Sequence, residues 1–395
     1  MKFAISELIR GVHFPPISEV QGWLAESSFL ADRPLIDLCQ AVPDYPPAPA
    51  LIEHLKKSLD DPLTARYSPD EGLAPVREAL CAHYARSYGA SLTPRQLCLT
   101  IGASQAFWLA MVTLCRAGDE VIVQVPYYFD HDMALAMLGI SRVYAPFSEE
   151  NSGLPDPAAI ERLITPRTRA LLLVTPSNPT GAIIPPSTIR SLFDLAARHG
   201  IALVLDETYA AFLPGGDRPH DLFIDPAWGD HFVHIMSFGK TYALTGFRAG
   251  ALVAGEEFIH HSLKVQDTMA VCQPRITQHA IRFGAEQLDG WVAGNREMMA
   301  RRHDRFRAEF TKPGNPFALV ASGAFFGWIR HPFPGLTGRE TARRLVKEAG
   351  LLTLPGEVFG PGLEGYLRLA FGNIGEAMIP EACQRFRELA GETCK

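Results

Sequence analysis

The 395-residue sequence contains no CxxC pair, and its seven cysteines are scattered and odd in number. That excludes a zinc ribbon and argues against a disulfide framework, which needs paired cysteines at short spacings. Long apolar runs are missing too. Stretches such as ALLLV at 170–174 fall far short of the roughly 18 residues a membrane span requires. The opening MKFAISELIR is broken by Glu7 and Arg10, so it does not read as a signal peptide. Positive charge is not in surplus: 37 Lys and Arg against 43 Asp and Glu give a net charge of −6. Phosphate backbones need a basic face, so no nucleic-acid partner is expected. Asn178-Pro179-Thr180 is not a glycosylation site, because proline occupies its middle position. These absences lead to the expectation of a cytoplasmic protein with neither a membrane nor a nucleic-acid partner, and with no metal site.

What is present is an ordinary globular composition, 47% hydrophobic and 20% charged, with length for more than one domain. After a proline-rich connector at 43–49, short Leu- and β-branched runs alternate with amphipathic stretches. LCLTI (97–101), EVIVQV (120–125), RVYAPF (142–147), ALLLVT (170–175), IALVLD (201–206) and HFVHIM (231–236) read as strands. Helices are predicted near 17–30, 103–116, 130–139 and 186–199, the last stopping at Gly200. Strands apolar on both faces and separated by helices imply a mainly parallel sheet sandwiched by helices. From 256 the pattern shifts to long helices at 256–270, 275–289 and 291–310. Strands near 317–320, 325–329 and 366–371 then follow, with helices at 339–349 and 376–390. The fold class is therefore α/β, with a large domain over 46–290 and a smaller α+β domain over 291–395. Residues 1–45 are expected to pack with the smaller one.

Three motif matches carry no chemistry. Gly360, Gly362 and Gly365 spell GxGxxG, but the run contains Pro361 and precedes a strand rather than opening a helix. Ser237 and Lys240 satisfy SxxK without the companion SDN and KTG segments. His231 and His234 sit three apart in a run read as a strand, which puts them on opposite faces.

The informative residues cluster at the carboxyl ends of the predicted large-domain strands, where open α/β sheets bind ligands. ALLLVT runs into Ser177-Asn178-Pro179-Thr180-Gly181, IALVLD ends in Asp206-Glu207-Thr208-Tyr209, and HFVHIM ends in Ser237-Phe238-Gly239-Lys240, with Arg248 eight residues on. Each residue alone has a plain structural reading as a cap, a turn, a packed ring or a surface ion pair; their joint order at successive strand ends does not. Asp206 closes a buried run and Arg368 interrupts an apolar one (YLRLAF), so each charge needs a partner at low dielectric.

At these residues the sequence resembles the fold-type I pyridoxal-phosphate enzymes, specifically the class I and II aminotransferase family. The resemblance runs through YSPDEGLAPVREAL (67–80), TIGASQAF (100–107), SNPTGA (177–182), DETYAAF (206–212), SFGKTYALTGFRAG (237–250) and LRLAFGN (367–373). It implies an aspartate-aminotransferase-like fold and pyridoxal 5'-phosphate as cofactor, joined as an internal aldimine to Lys240. Asp206 would pair with the pyridine nitrogen, while Asn178 and Tyr209 would hydrogen-bond the ring's phenolate oxygen and Tyr128 would stack on its face. The phosphate would lie on the Gly102-Ala103-Ser104 turn with Ser237 and Arg248. Tyr67 would reach the phosphate of a neighbouring subunit, implying a homodimer. Arg368, together with Asn178, would bind the substrate α-carboxylate.

The resemblance implies transamination between an L-amino acid and a 2-oxo acid, with Lys240, Asp206 and Tyr209 catalytic. Elimination on the same cofactor, as in C–S lyases or aminocyclopropane-carboxylate synthases, starts from the same α-proton loss and is the alternative. Two departures bear on the substrate: Ala41 stands where the family usually has glycine, and Ser104 where some acidic-substrate relatives have lysine. Phe14, Tyr45, Tyr67, Phe325 and Phe326 are the candidate lining residues for a bulky neutral or aromatic side chain.

Overall fold

The computed structural model describes residues 3–26, 29, 33–216 and 218–391. The first strand, β1 (Ile36–Asp37), stands apart from the main sheet. That sheet is built from β2 (Leu97–Ile101), β3 (Glu120–Gln124), β4 (Ser141–Ala145), β5 (Thr168–Val174), β6 (Ala202–Asp206), β7 (Phe232–Ser237) and β8 (Ala249–Val253). Their spatial order is β2-β8-β7-β6-β5-β3-β4. Neighbours pair in parallel from β7 to β4, whereas β8 lies antiparallel to both β7 and β2.

Side-chain alternation explains why both faces are covered. Leu171, Leu173, Leu203 and Leu205 enter one apolar cluster, while Ala170, Leu172, Ala202 and Val204 enter another on the opposite face. Helix Pro186–His199 covers the first cluster with Ala196 and with Ile189, Leu192 and Phe193, the last three each worth about 1.5–3 kcal/mol at most on burial. It ends where Gly200 adopts a left-handed φ of 64°. Helix Gly102–Leu114 covers the second face.

The smaller unit holds β9 (Ala318–Gly323), β10 (Phe326–Arg330), β11 (Leu351–Leu352), β12 (Leu354–Pro355) and β13 (Tyr366–Leu369). An antiparallel sheet runs β12-β13-β10-β9, and β11 pairs in parallel with β1. The N-terminal segment is thereby stitched to this unit, and Arg302 adds two bonds to the Asp44 carboxylate at 2.7 and 3.1 Å. Among the described residues no helix is long and apolar enough to cross a membrane.

Several element boundaries differ from the sequence reading. The helix read at 17–30 is Pro16–Gly22 followed by a 3₁₀ turn to Glu26, and residues 27, 28 and 30 lie outside the described set. β7 begins at Phe232, so His231 closes a short helix and His234 alone occupies the strand. The two histidines are therefore not strand mates. β13 stops at Leu369 because Phe371–Asn373 turns into a 3₁₀ segment.

Candidate active site

Four parallel strands and one antiparallel strand deliver side chains to a single edge of the large sheet. β2 runs into Gly102, β5 into Asn178, β6 ends in Asp206, and β7 ends in Ser237 just before the turn carrying Lys240. β8 is antiparallel, so its beginning lies at that same edge and Arg248 immediately precedes it. The small sheet contributes Arg368 from β13, its central neighbour in register being Trp328. These elements enclose a cavity of about 190 Å³. Ala103, Ser104, Tyr128, Asn178, Asp206, Tyr209, Ser237, Lys240, Arg248 and Arg368 all line it. Tyr127 does not; it stacks on Tyr144 instead.

Asp206 is buried at the end of a wholly buried strand. Its Oδ1 accepts from the Thr208 N–H (2.9 Å) and hydroxyl (2.7 Å), and His131 Nε2 stands 3.2 Å from Oδ2. His131 went unread in the sequence. Its signal was its place three residues after Tyr128, which brings the two rings within 5.2 Å. A buried aspartate that needed a partner could have pointed to it.

Lys240 is half-buried and its amine is pushed down to about 8, chiefly by desolvation and then by the charges of Arg368 and Arg248. Its Nζ donates to the Ala41 carbonyl at 2.5 Å. Arg368 is 1% exposed. It donates to Asn178 Oδ1 at 2.9 Å and to the Cys39 carbonyl, lies over the rings of Phe326 and Phe359, and keeps Nε unpartnered. Two other buried arginines differ in kind: Arg302 has Asp44 and Arg385 has Glu381, whereas no carboxylate among the described residues pairs with Arg368. A buried guanidinium stays charged, so this side chain could hold an anionic ligand.

Close backbone approach shapes the neighbouring corner. Gly102 opens its helix at φ 75°, and a Cβ there would stand 2.7 Å from Arg248 Nη2. A Cβ on Gly250 would meet the Gly102 carbonyl carbon at 2.5 Å. Only glycine permits this packing, which sets a guanidinium beside the free N–H groups of a helix start and so forms a cradle for a small anion.

The aromatic residues expected to line the side-chain pocket do not line this cavity. Phe325 and Phe326 are core residues behind Tyr209, with ring centroids 5.5 and 5.1 Å from it. Tyr45 packs edge-on against Trp291, and Phe14 and Tyr67 are 80% and 79% exposed. Hydrophobicity alone cannot separate a core ring from a lining ring, which is why Phe325 and Phe326 read as lining residues. Ile17, from the helix Pro16–Gly22, and Gln40 and Val42, which follow β1 just beyond its pairing with β11, line the cavity instead.

An aromatic aminotransferase of Arabidopsis thaliana is 28% identical over 390 residues, covering 97% of this chain and 95% of that one. The aspartate/prephenate aminotransferase of Thermus thermophilus is 30% identical over 360 residues, covering 90% and 91%. Among solved structures, Thermus thermophilus aspartate aminotransferase with maleate superposes with a TM-score of 0.89 at 27% identity, covering 98% of this chain and all of that one. The aromatic aminotransferase of Pyrococcus horikoshii gives 0.85 at 26%, covering 95% and 99%. The family described as aminotransferase class I and II matches residues 33–386, and the chain belongs to that family.

Proposed function

We propose that the protein is a pyridoxal-phosphate-dependent aminotransferase acting on an L-amino acid and a 2-oxo acid. The observation that carries this reading is a pair of cations with no carboxylate partner among the described residues, the half-buried Lys240 and the buried Arg368, facing one cavity with Asp206. When bound, pyridoxal phosphate supplies an aldehyde that an amine can join and a protonated ring that draws electrons from the substrate α-carbon. The residues suit that group. The cradle of Gly102, Ala103, Ser104, Ser237 and Arg248 fits its phosphate, Asp206 its ring nitrogen, Asn178 and Tyr209 its phenolate oxygen, and Tyr128 its face.

Lys240 Nζ, desolvated enough to be partly neutral near pH 7, would take and hand on the substrate α-proton. Asp206, oriented by Thr208 and His131, would hold the proton of the ring nitrogen. Arg368 binds the α-carboxylate with both Nη atoms, and Asn178 shares that contact. Burial pushes the Tyr209 hydroxyl above its ordinary range, so it acts as a neutral donor.

The cavity's cations are Lys240, Arg248 and Arg368, each already engaged in this scheme, and Ile17 and Val42 add apolar surface. Among the described residues that leaves no Lys or Arg of the cavity for a second substrate carboxylate and supports a bulky neutral or aromatic side chain. The exposed Tyr67 ring, with its carbonyl held by Arg275 at 2.9 Å, supports a homodimer in which it reaches a second copy's phosphate site.

The test is a half-reaction screen. Cofactor-loaded protein is mixed with single L-amino acids, the visible band is followed, and products are identified by mass. A 2-oxo acid released in equal amount to the cofactor converted is the expected result. Pyruvate or ammonia accumulating over an unchanged cofactor band indicates elimination, and no visible band at all overturns the cofactor reading.

A further inference from the structure

One residue beyond Asp206, and on the opposite face of the sheet, lies a second buried carboxylate. Glu207 is 0% exposed, His234 0% and His220 1%. Glu207 Oε2 accepts from the Tyr88 hydroxyl at 2.7 Å and from His234 Nε2 at 2.8 Å, and His220 Nε2 stands 3.4 Å away. The Tyr84 hydroxyl meets His234 Nδ1 at 2.9 Å, and the Leu222 N–H donates to His220 Nδ1 at 3.2 Å.

Three ligand-type atoms this close invite a metal reading. The hydrogen bonds disfavour it. His220 Nδ1 uses its lone pair on Leu222, so a neutral ring carries its proton on Nε2, the nitrogen a metal would need. The same logic, with Glu207 ionised, places a proton on His234 Nε2. Tyr88 and His234 then direct donor hydrogens at one oxygen of the carboxylate and His220 turns its own toward it from 3.4 Å, while Oε1 has no partner among the described residues.

The place of this network in the chain gives it a further role. Glu207 is where the chain leaves β6: its N–H donates to Ile235 of β7, and its carbonyl accepts from Ala210 to start the 3₁₀ turn after Tyr209. Asp206 in turn is oriented by the Thr208 N–H and hydroxyl, on the other side of Glu207. We propose that Glu207 is a positioning residue: clamped by Tyr88, His234 and His220, it fixes the turn from which Asp206 and Tyr209 reach the cofactor. This rests on the cofactor reading given above.

The experiment titrates apoprotein with pyridoxal phosphate, using wild type, Glu207→Gln and Tyr88→Phe. It reads the dissociation constant by fluorescence quenching, the pH midpoint of the visible band, and the unfolding temperature. Glu207→Gln is expected to weaken cofactor binding about tenfold and to move the band midpoint by about one pH unit. Tyr88→Phe, which removes a single donor, moves both in the same direction by less, and decides the matter if Glu207→Gln does not fold. Lower unfolding temperatures with wild-type affinity and band would overturn the proposal, leaving the network purely structural. So would one equivalent of zinc in the purified protein whose chelation loosens the fold. Failure of the wild type to bind pyridoxal phosphate would strike the proposed function first; wild-type binding with unaltered variants strikes this inference alone.

Discussion

Asp206 and Glu207 are consecutive, both buried and both beside a histidine, yet they occupy opposite faces of the sheet and different chemical situations. Around Glu207 the donors come from Tyr88, His234 and His220, packed among rings with Tyr84 and Phe223. Asp206 faces a cavity, with Thr208 on one oxygen and His131 on the other, and the far nitrogen of His131 has no partner. Burial of a charge at a strand end does not by itself mark chemistry. What separates the two faces is which side opens to a ligand: Asp206 lines the cavity, whereas Glu207, with Oε1 buried and unpartnered, does not.

The sharpest break in that comparison comes from the cavity side. Lys240→Ala should abolish turnover and the visible absorbance of the bound cofactor while leaving the fold intact, because no other amine lines the cavity to replace it. Wild-type activity in that variant would sink the assignment. Asp206→Asn comes next: it keeps shape but removes the charge that holds the ring proton, and kcat should fall on the order of 10²-fold with little change in unfolding temperature. Steady-state kinetics beside a thermal melt checks both halves. A variant that loses stability but keeps its rate would make Asp206 structural.

Glu207 should answer in the opposite currency. Burial pushes its carboxyl up, but the imidazoles of His220 and His234 outweigh this and hold it well below the ordinary range near 4.5. The folded value is then lower than the unfolded one, so the stabilisation is complete above the unfolded value and is lost as pH falls toward the folded one. At pH 7 Glu207→Gln should destabilise the protein by about 3 kcal/mol. Denaturant melts at successively lower pH should show the gap between variant and wild type closing. A gap that stays constant into strong acid would mean that Glu207 does not carry the charge in the native state.

Much of this was legible before any coordinates, and the reasons for the exceptions are physical. Helix 186–199 was read with its true ends because its apolar face and terminal glycine agree. Asp206 stood out as a charge closing a buried run. Glu207 did not, since a residue just past a strand looks like loop until the sheet shows which face it enters. His131, Ile17 and Val42 are far in sequence from the strand ends they join, and pairings such as β1 with β11 are too short to leave a periodic trace.

Arg368 provides the smallest expected effect and a finer version of the same comparison. Like Glu207 it is almost wholly buried, but its nitrogens meet only neutral acceptors, the Asn178 amide and the Cys39 carbonyl. Arg302 and Arg385, buried nearly as deeply, each have a carboxylate from the protein itself. If the missing anion is the substrate α-carboxylate, Arg368→Ala should raise KM for amino acids about tenfold, the loss of one charged hydrogen-bonding contact. The corresponding simple amine, lacking a carboxylate, should show no such change. Arg302→Ala should destabilise the fold without that distinction, because its partner is Asp44. Equal effects of Arg368→Ala on amino acid and amine would place Arg368 with Arg302, as a packing residue of the small sheet rather than a ligand clamp.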